Sequence, residues 1–193
     1  MMMVLFGDDM VRALNLAYEM GLTEKMQIVV PNLTLGMVRQ VGPTIMEGVV
    51  GAAPWVWNLP YENNYQRGKD FVEAFSDRYE MRPSSSAASA YSIVYQYKDA
   101  VERAGSTNTD AVIRALEGHR YSFLKDEQYW REFDHQNVQT VYVVRIKPRE
   151  TVVADQFSSD YFEIIDFLPG DEAAQTREEW EQRRKEAGKP TRL

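Results

Sequence analysis

The sequence contains no cysteine, which excludes a disulfide framework, thiolate ligation of a metal and a cysteine nucleophile. Histidine is nearly as scarce. The two present, His119 and His135, stand far apart with no second histidine at helical spacing, so no metal centre is expected. No run reaches the roughly 18 apolar residues that span a bilayer. The amino terminus, MMMVLFGDDM, lacks the basic and then apolar regions of a secretory leader, so the chain as written is expected to remain cytoplasmic. Positive charge is in deficit. With 22 Lys and Arg against 29 Asp and Glu, the net charge is -7, which opposes binding to phosphate backbones, and no nucleic-acid partner is expected. There is no P-loop, nucleophile elbow or dinucleotide glycine fingerprint, and Gly7 lacks the companion glycines that admit a pyrophosphate. Neither enzymatic activity nor a cofactor is expected.

The chain has 193 residues, 44% of them hydrophobic, and is long enough to bury one sizeable core. Val4 to Phe6 form a short apolar run, predicting a strand, and Asp8 and Asp9 then offer N-cap oxygens to a helix ending at Gly21. Gln27 to Val30 reads as a second strand. Leu35 to Val41 comes next as a short helix broken by Gly42 and Pro43, and Glu47 to Trp55 as a third, largely apolar extended segment. Strands separated by helices imply an α/β class built on a parallel sheet with flanking helices.

From Trp57 to Asn64 the composition shifts to Asn, Pro, Tyr and Glu, which suits a connection, and Trp57, Asn58 and Tyr61 are assigned to a hinge. Helices come after it. Phe71, Phe75 and Tyr79 line one, and Ala87, Tyr91, Val94, Val101 and Ala104 a longer one stopping at Gly105. Thr107 and Asp110 have capping-box spacing and open a helix that ends at Gly118. Tyr121 to Phe133 is aromatic and irregular, Val138 to Ile146 a β-branched strand, and Tyr161 to Leu168 a candidate edge strand. The mixed-charge segment Asp171 to Lys189 reads as a solvated helical appendage.

Few residues invite chemistry. Asp134 and His135 are adjacent, and on an extended segment they face opposite ways, which suits a turn better than an oriented base. Asp8 and Asp9 suit either a cation or ligand amine, or simple helix capping, the commoner use. Trp55, Trp57, Tyr61 and Tyr65 surround the hinge, where they either stack on a small ligand or cover an apolar seam.

The runs EGVVGAAPWVW, GKDFVEAFSDRYEMRPSSSAASAYSIVYQYKDAVERAGS, DAVIRALEGHRY and YWREFDHQNVQTVYVV resemble, in unbroken order over residues 4–148, the second half of type I periplasmic solute-binding proteins. The branched-chain amino acid and amide receptors of ABC importers are the nearest group. That resemblance implies two α/β lobes closing on a small-molecule solute without bond cleavage, docking on an ABC permease, and a periplasmic location. It divides the chain into part of a C-terminal lobe (1–58), a helical segment of the N-terminal lobe (59–118), a crossover strand returning to the C-terminal lobe (119–150) and an extension (151–193). Ligand contacts of the family fall on the loops after the strands, here Phe6, Gly7 and Asp8, then Asn32, Leu33 and Thr34. Where amino-acid receptors place a carboxylate for the ligand ammonium, this chain has Asn32, so an ordinary α-amino acid is disfavoured.

The resemblance covers only half of a cleft, and usable sites enclose about 70 to 90% of their ligand, so weak or no solute binding is expected of this chain by itself. A reading from another class remains beside it. The chain can be an autonomous interaction module that hides an incomplete sheet edge by pairing, for instance as a homodimer, with no small-molecule ligand.

Overall fold

The computed structural model describes residues 1–191. Its first elements are α1 (Gly7–Glu19), β1 (Val29–Val30), α2 (Leu35–Val41), α3 (Pro43–Met46) and β2 (Val50–Ala53). The chain enters through an extended N-terminal segment. Met3 donates its amide to the Val29 carbonyl at 2.8 Å and Val29 donates to the Met1 carbonyl at 2.9 Å, so Met2 bridges Val29 in parallel. The strand expected at Val4 to Phe6 is therefore displaced toward the terminus. Those three side chains are exposed, and apolar character alone does not register which residues the ladder takes.

Asp8 and Asp9 lie in the first turn of α1, where their charge suits the helix N-terminus, but the N-cap is Phe6 and no side chain caps it. Gly7 adopts φ +60°, the left-handed turn that glycine takes without steric cost. Met10, Leu14 and Ala17 recur at spacings of four and three and form the buried face. α2 begins at Thr34, whose hydroxyl accepts from the Met37 amide, and ends at Gly42 with φ +93°. Pro43, unable to continue that helix, opens α3 instead.

A four-residue helix, α4 (Leu59–Glu62), then leads to α5 (Gln66–Tyr79), α6 (Ser85–Ala104) and α7 (Thr109–Leu116). Ser84 caps α6 through the Ala87 amide, and Gly105 closes it in the left-handed conformation. The cap of α7 is Asn108, which accepts from the Ala111 amide, one residue beyond the expected Thr107. The face of α6 also differs from expectation. Ala88, Gln96 and Ala100 are buried while Ile93, Val94 and Tyr97 are exposed, Ile93 and Tyr97 at an open hollow beside α7 and β4.

The irregular aromatic stretch is a small antiparallel sheet, β3 (Arg120–Tyr121), β4 (Gln128–Trp130) and β5 (Asn137–Val138), joined in that order. After a break at Gln139 and Thr140, β6 (Val141–Ile146) enters the main sheet, succeeded by α8 (Arg149–Ala154), β7 (Phe162–Leu168), α9 (Gly170–Ala173) and α10 (Arg177–Glu186). The main sheet runs β1-β2-β6-β7. β1 and β2 are parallel, β2 with β6 and β6 with β7 antiparallel, so the α/β class stands while parallel pairing is confined to the N-terminal side. β7 is the edge strand expected at Tyr161 to Leu168, and the segment Asp171 to Lys189 is more than a solvated appendage. β7 pairs along β6, and Trp180 of α10 is buried edge-on against Phe133.

One core joins these layers: Leu14, Val30, Leu33, Val38, Met46, Val144, Ile146 and Val152 are almost wholly buried, and the cluster extends to Phe71, Ala88 and Leu124. Each such aliphatic side chain contributes about 1.5–3 kcal/mol on burial. Among the described residues no helix is long and apolar enough to cross a membrane.

Candidate functional site

The parallel bridge of Met2 with Val29 fixes where the chain goes after each strand. Phe6, Gly7 and Asp8 come after the first and Asn32, Leu33 and Thr34 after the second, so both loops emerge at the same end of neighbouring strands, where a parallel sheet opens its crevice. Gln40 of α2 donates to Asp8 Oδ1 at 3.3 Å, tying the first loop to the helix beyond the second. Phe6 and Asn32 are exposed. Leu33 is not: it is 1% exposed, packs over Gly51 and donates its amide to the Ala52 carbonyl at 2.9 Å. Its side chain therefore belongs to the core and offers nothing to that surface. Thr34 spends its hydroxyl on the α2 cap.

The residues assigned to the hinge are brought together, each with partners of its own. Trp57 donates Nε1 to Asp160 Oδ1 at 2.9 Å, and Lys147 grips the other oxygen of that carboxylate at 2.7 Å. Arg82 lies 4.0 Å above the Trp57 ring while pairing with Asp155 at 2.9 Å. Burial pushes the Asp155 carboxyl up, but hydrogen bonds from Arg82 and from the Ser159 and Phe157 amides outweigh it and hold the group below its ordinary value. Tyr61 packs edge-on to Trp57 at 5.9 Å, and Asn58 bonds to Glu62 within the turn. Trp55 is buried, edge-on to Phe71, so it seals an apolar seam.

Sequence reasoning missed the most unusual charge in the molecule. Lys125, its side chain 2% exposed, donates to the Pro54 carbonyl at 2.8 Å and the Thr140 carbonyl at 2.7 Å. Its neighbour Asp126 accepts from the hydroxyls of Thr140 and Tyr142. Pro54 comes after β2 and Thr140 precedes β6, so one side chain clasps both connections as they leave the main sheet. Burial lowers the Lys125 ammonium from 10.5 to about 8, with Asp126 acting against that fall. Nothing in the aromatic stretch around it marks a lysine that folds inward.

The histidines are separate. His119 lies 3.3 Å from Asp99 and stacks on Tyr121, while His135, at φ +58°, meets Glu117 at 2.9 Å. Asp134 faces Arg131 instead, at 2.6 and 2.9 Å, consistent with the turn reading. Among the described residues no three His, Asp or Glu side chains gather as a metal site.

A family model described as periplasmic binding protein matches residues 1–151. No curated protein matches the chain. Solved structures do. A periplasmic binding protein from Burkholderia mallei is 26% identical with a TM-score of 0.78, over 91% of this chain and 44% of that one. A branched-chain amino acid ABC transporter periplasmic ligand-binding protein from Burkholderia xenovorans is 22% identical with a TM-score of 0.77, over 92% and 46%. A leucine-, isoleucine-, valine-, threonine- and alanine-binding protein from Brucella ovis, in a closed conformation, is 19% identical with a TM-score of 0.72, over 91% and 44%. The chain thus spans less than half the length of these structures.

Proposed function

Because this chain belongs to the periplasmic binding protein family, we propose that it supplies one wall of a solute-capturing cleft, formed by Phe6 to Asp8 and Asn32 with the backbone of Leu33 and Thr34. The observation that carries this reading is the parallel pairing of Met2 with Val29, which sets both loops at one end of the sheet. The mechanism is capture without chemistry: a solute bound between two walls stabilises their approach by its differential affinity for the closed arrangement. The connections through Trp57 to Tyr61 and through Gln139 and Thr140 serve as hinges, with residues 59–118 on the opposite side of the cleft and β6 returning from it. The loaded receptor delivers its solute to an ABC permease in the periplasm. The Burkholderia xenovorans protein's name, a branched-chain amino acid transporter component, supports that class of cargo. Asn32 narrows it. An amide oxygen accepts from an ammonium but brings no opposite charge to it, and so holds it more weakly than a carboxylate does; an uncharged amide or a related small organic solute therefore fits better than an α-amino acid.

The test is residue-resolved NMR titration of the chain with leucine and with isovaleramide. Saturable shifts confined to residues 6–8 and 32–34, larger for the amide, are expected, and Asn32→Asp should move the preference toward leucine. Shifts absent from both loops at saturating solute would refute the proposal. A second reading has its own observation: among the described residues the Met1 to Met3 segment pairs only with β1, beside exposed Met2, Val4 and Phe6, an open edge suited to self-pairing. Sedimentation separates the two, since the interaction module requires a concentration-dependent dimer with no response to either solute.

A further inference from the structure

The turn between β3 and β4 sends a side chain into the gap between the two connections that leave the main sheet. Ala53 of β2 pairs with Tyr142 of β6, and just beyond them the chain goes out through Pro54 and comes back through Thr140. The Lys125 ammonium donates to both of those carbonyls, at 2.8 and 2.7 Å. Asp126 accepts from the Thr140 and Tyr142 hydroxyls, which adds to the hold on the returning side. The turn itself has a close seat. Leu124 is 1% exposed, and a Cβ at Gly68 of α5 would stand 2.6 Å from the Leu124 carbonyl and 2.6 Å from Pro60 Cγ of α4. The backbone next to Lys125 therefore rests directly on α4 and α5.

A lysine with 2% of its side chain exposed is an unfavourable way to fill space, since an apolar side chain of that length packs without giving up the hydration of a charge. What the charge adds is direction. Charge-assisted hydrogen bonds are stronger than neutral ones, and where water does not reach, a bond that breaks is not replaced. A movement that parts the two connections has to break one of the bonds to Lys125. A movement that carries the connections together breaks neither. We infer, on the hinge assignment proposed above, that Lys125 is a positioning residue of the hinge: it pins the outgoing and returning connections to each other and to the turn seated on α4 and α5, so that the helical segment swings with both at once.

Because the chain has no cysteine, spin labels attach only where Leu16→Cys on α1 and Ala74→Cys on α5, both exposed positions, place them. Pulsed electron resonance on the full labelled chain should give a narrow distance distribution, which Lys125→Met broadens about twofold as the connections become free to part. Val152→Ala removes buried volume from the main core and lowers Tm without touching the pin, so its distribution should stay narrow. Independently of any substitution at the pin, the Lys125 ammonium protons of the wild type should be visible by NMR at neutral pH, slowed in exchange and with cross-peaks to both Pro54 and Thr140. Neither measurement contains solute, so failure here is separate from failure of capture at Phe6 and Asn32. A distribution unmoved by Lys125→Met, equal broadening by Val152→Ala, or ammonium cross-peaks to only one of the two connections overturns the inference.

Discussion

Lys125 offers the sharpest test of how the connections beside the main sheet are held. Its folded ammonium titrates at about 8 against 10.5 for the free side chain. A lysine whose pKa falls on folding leaves the unfolded chain holding more protons between those two values, so stability rises with pH across that window and is flat below it. The full difference amounts to about 3.4 kcal/mol. Over the accessible part, from about pH 8 to about pH 9.5, the linkage relation yields a gain of about 1.6 kcal/mol. Tyrosines set the upper limit. Burial pushes Tyr121 up to about 12 and Tyr142 higher still, so above about pH 10 the unfolded state ionises first and stability falls again. Urea unfolding monitored by tryptophan fluorescence across this range should show the rise in the wild type and its absence in Lys125→Met. The intercepts are less informative, because two orphaned carbonyls at about 1–3 kcal/mol each oppose the relief of burying no charge. Parallel pH profiles for the two proteins would refute the argument that this ammonium is buried in its charged form.

Two further substitutions probe the frame. A side chain at Gly51 meets the Val30 carbonyl oxygen and lies 2.6 Å from Leu33 Cδ1, so Gly51→Ala should cost about 1–3 kcal/mol and lower Tm by about 2–4 °C per kcal/mol in calorimetry. Asp155→Asn weakens the grip on Arg82 and should destabilise the chain by about 1.5–3 kcal/mol at neutral pH. Since the folded Asp155 carboxyl titrates below its ordinary value, the wild type's advantage is present above about pH 4 and is lost as pH falls through the folded pKa; acid unfolding curves that stay separated to the end would contradict it.

Local chemistry makes much of this fold legible. Leu35 to Val41 has the bounds its sequence predicts because Thr34, Gly42 and Pro43 punctuate it, and Gly105 marks the end of α6 for the same reason. Signals that depend on distant partners are not readable in this way. Val4 to Phe6 are as apolar as a strand requires, yet the hydrogen bonds from Val29 fall on Met1 to Met3. The spacing of Val94 matches an inward helix face, and it lies outside because the described residues supply nothing opposite it. The direction of β6 is beyond local reading, since strand polarity depends on the path by which the chain returns. Of the candidate loops, Phe6 and Asn32 stand exposed, while Leu33 and, elsewhere, Lys125 turn inward for reasons of packing that no spacing records.

The pairing of Ala53 with Tyr142 occurs where the outgoing and returning chains part from the sheet, side by side. A double ribbon of this kind flexes across its flat face and resists torsion and lengthwise slip, much as a leather strap does. On the hinge assignment proposed above, such a pair confines the movement to one arc by topology, with no need for a stiff linker.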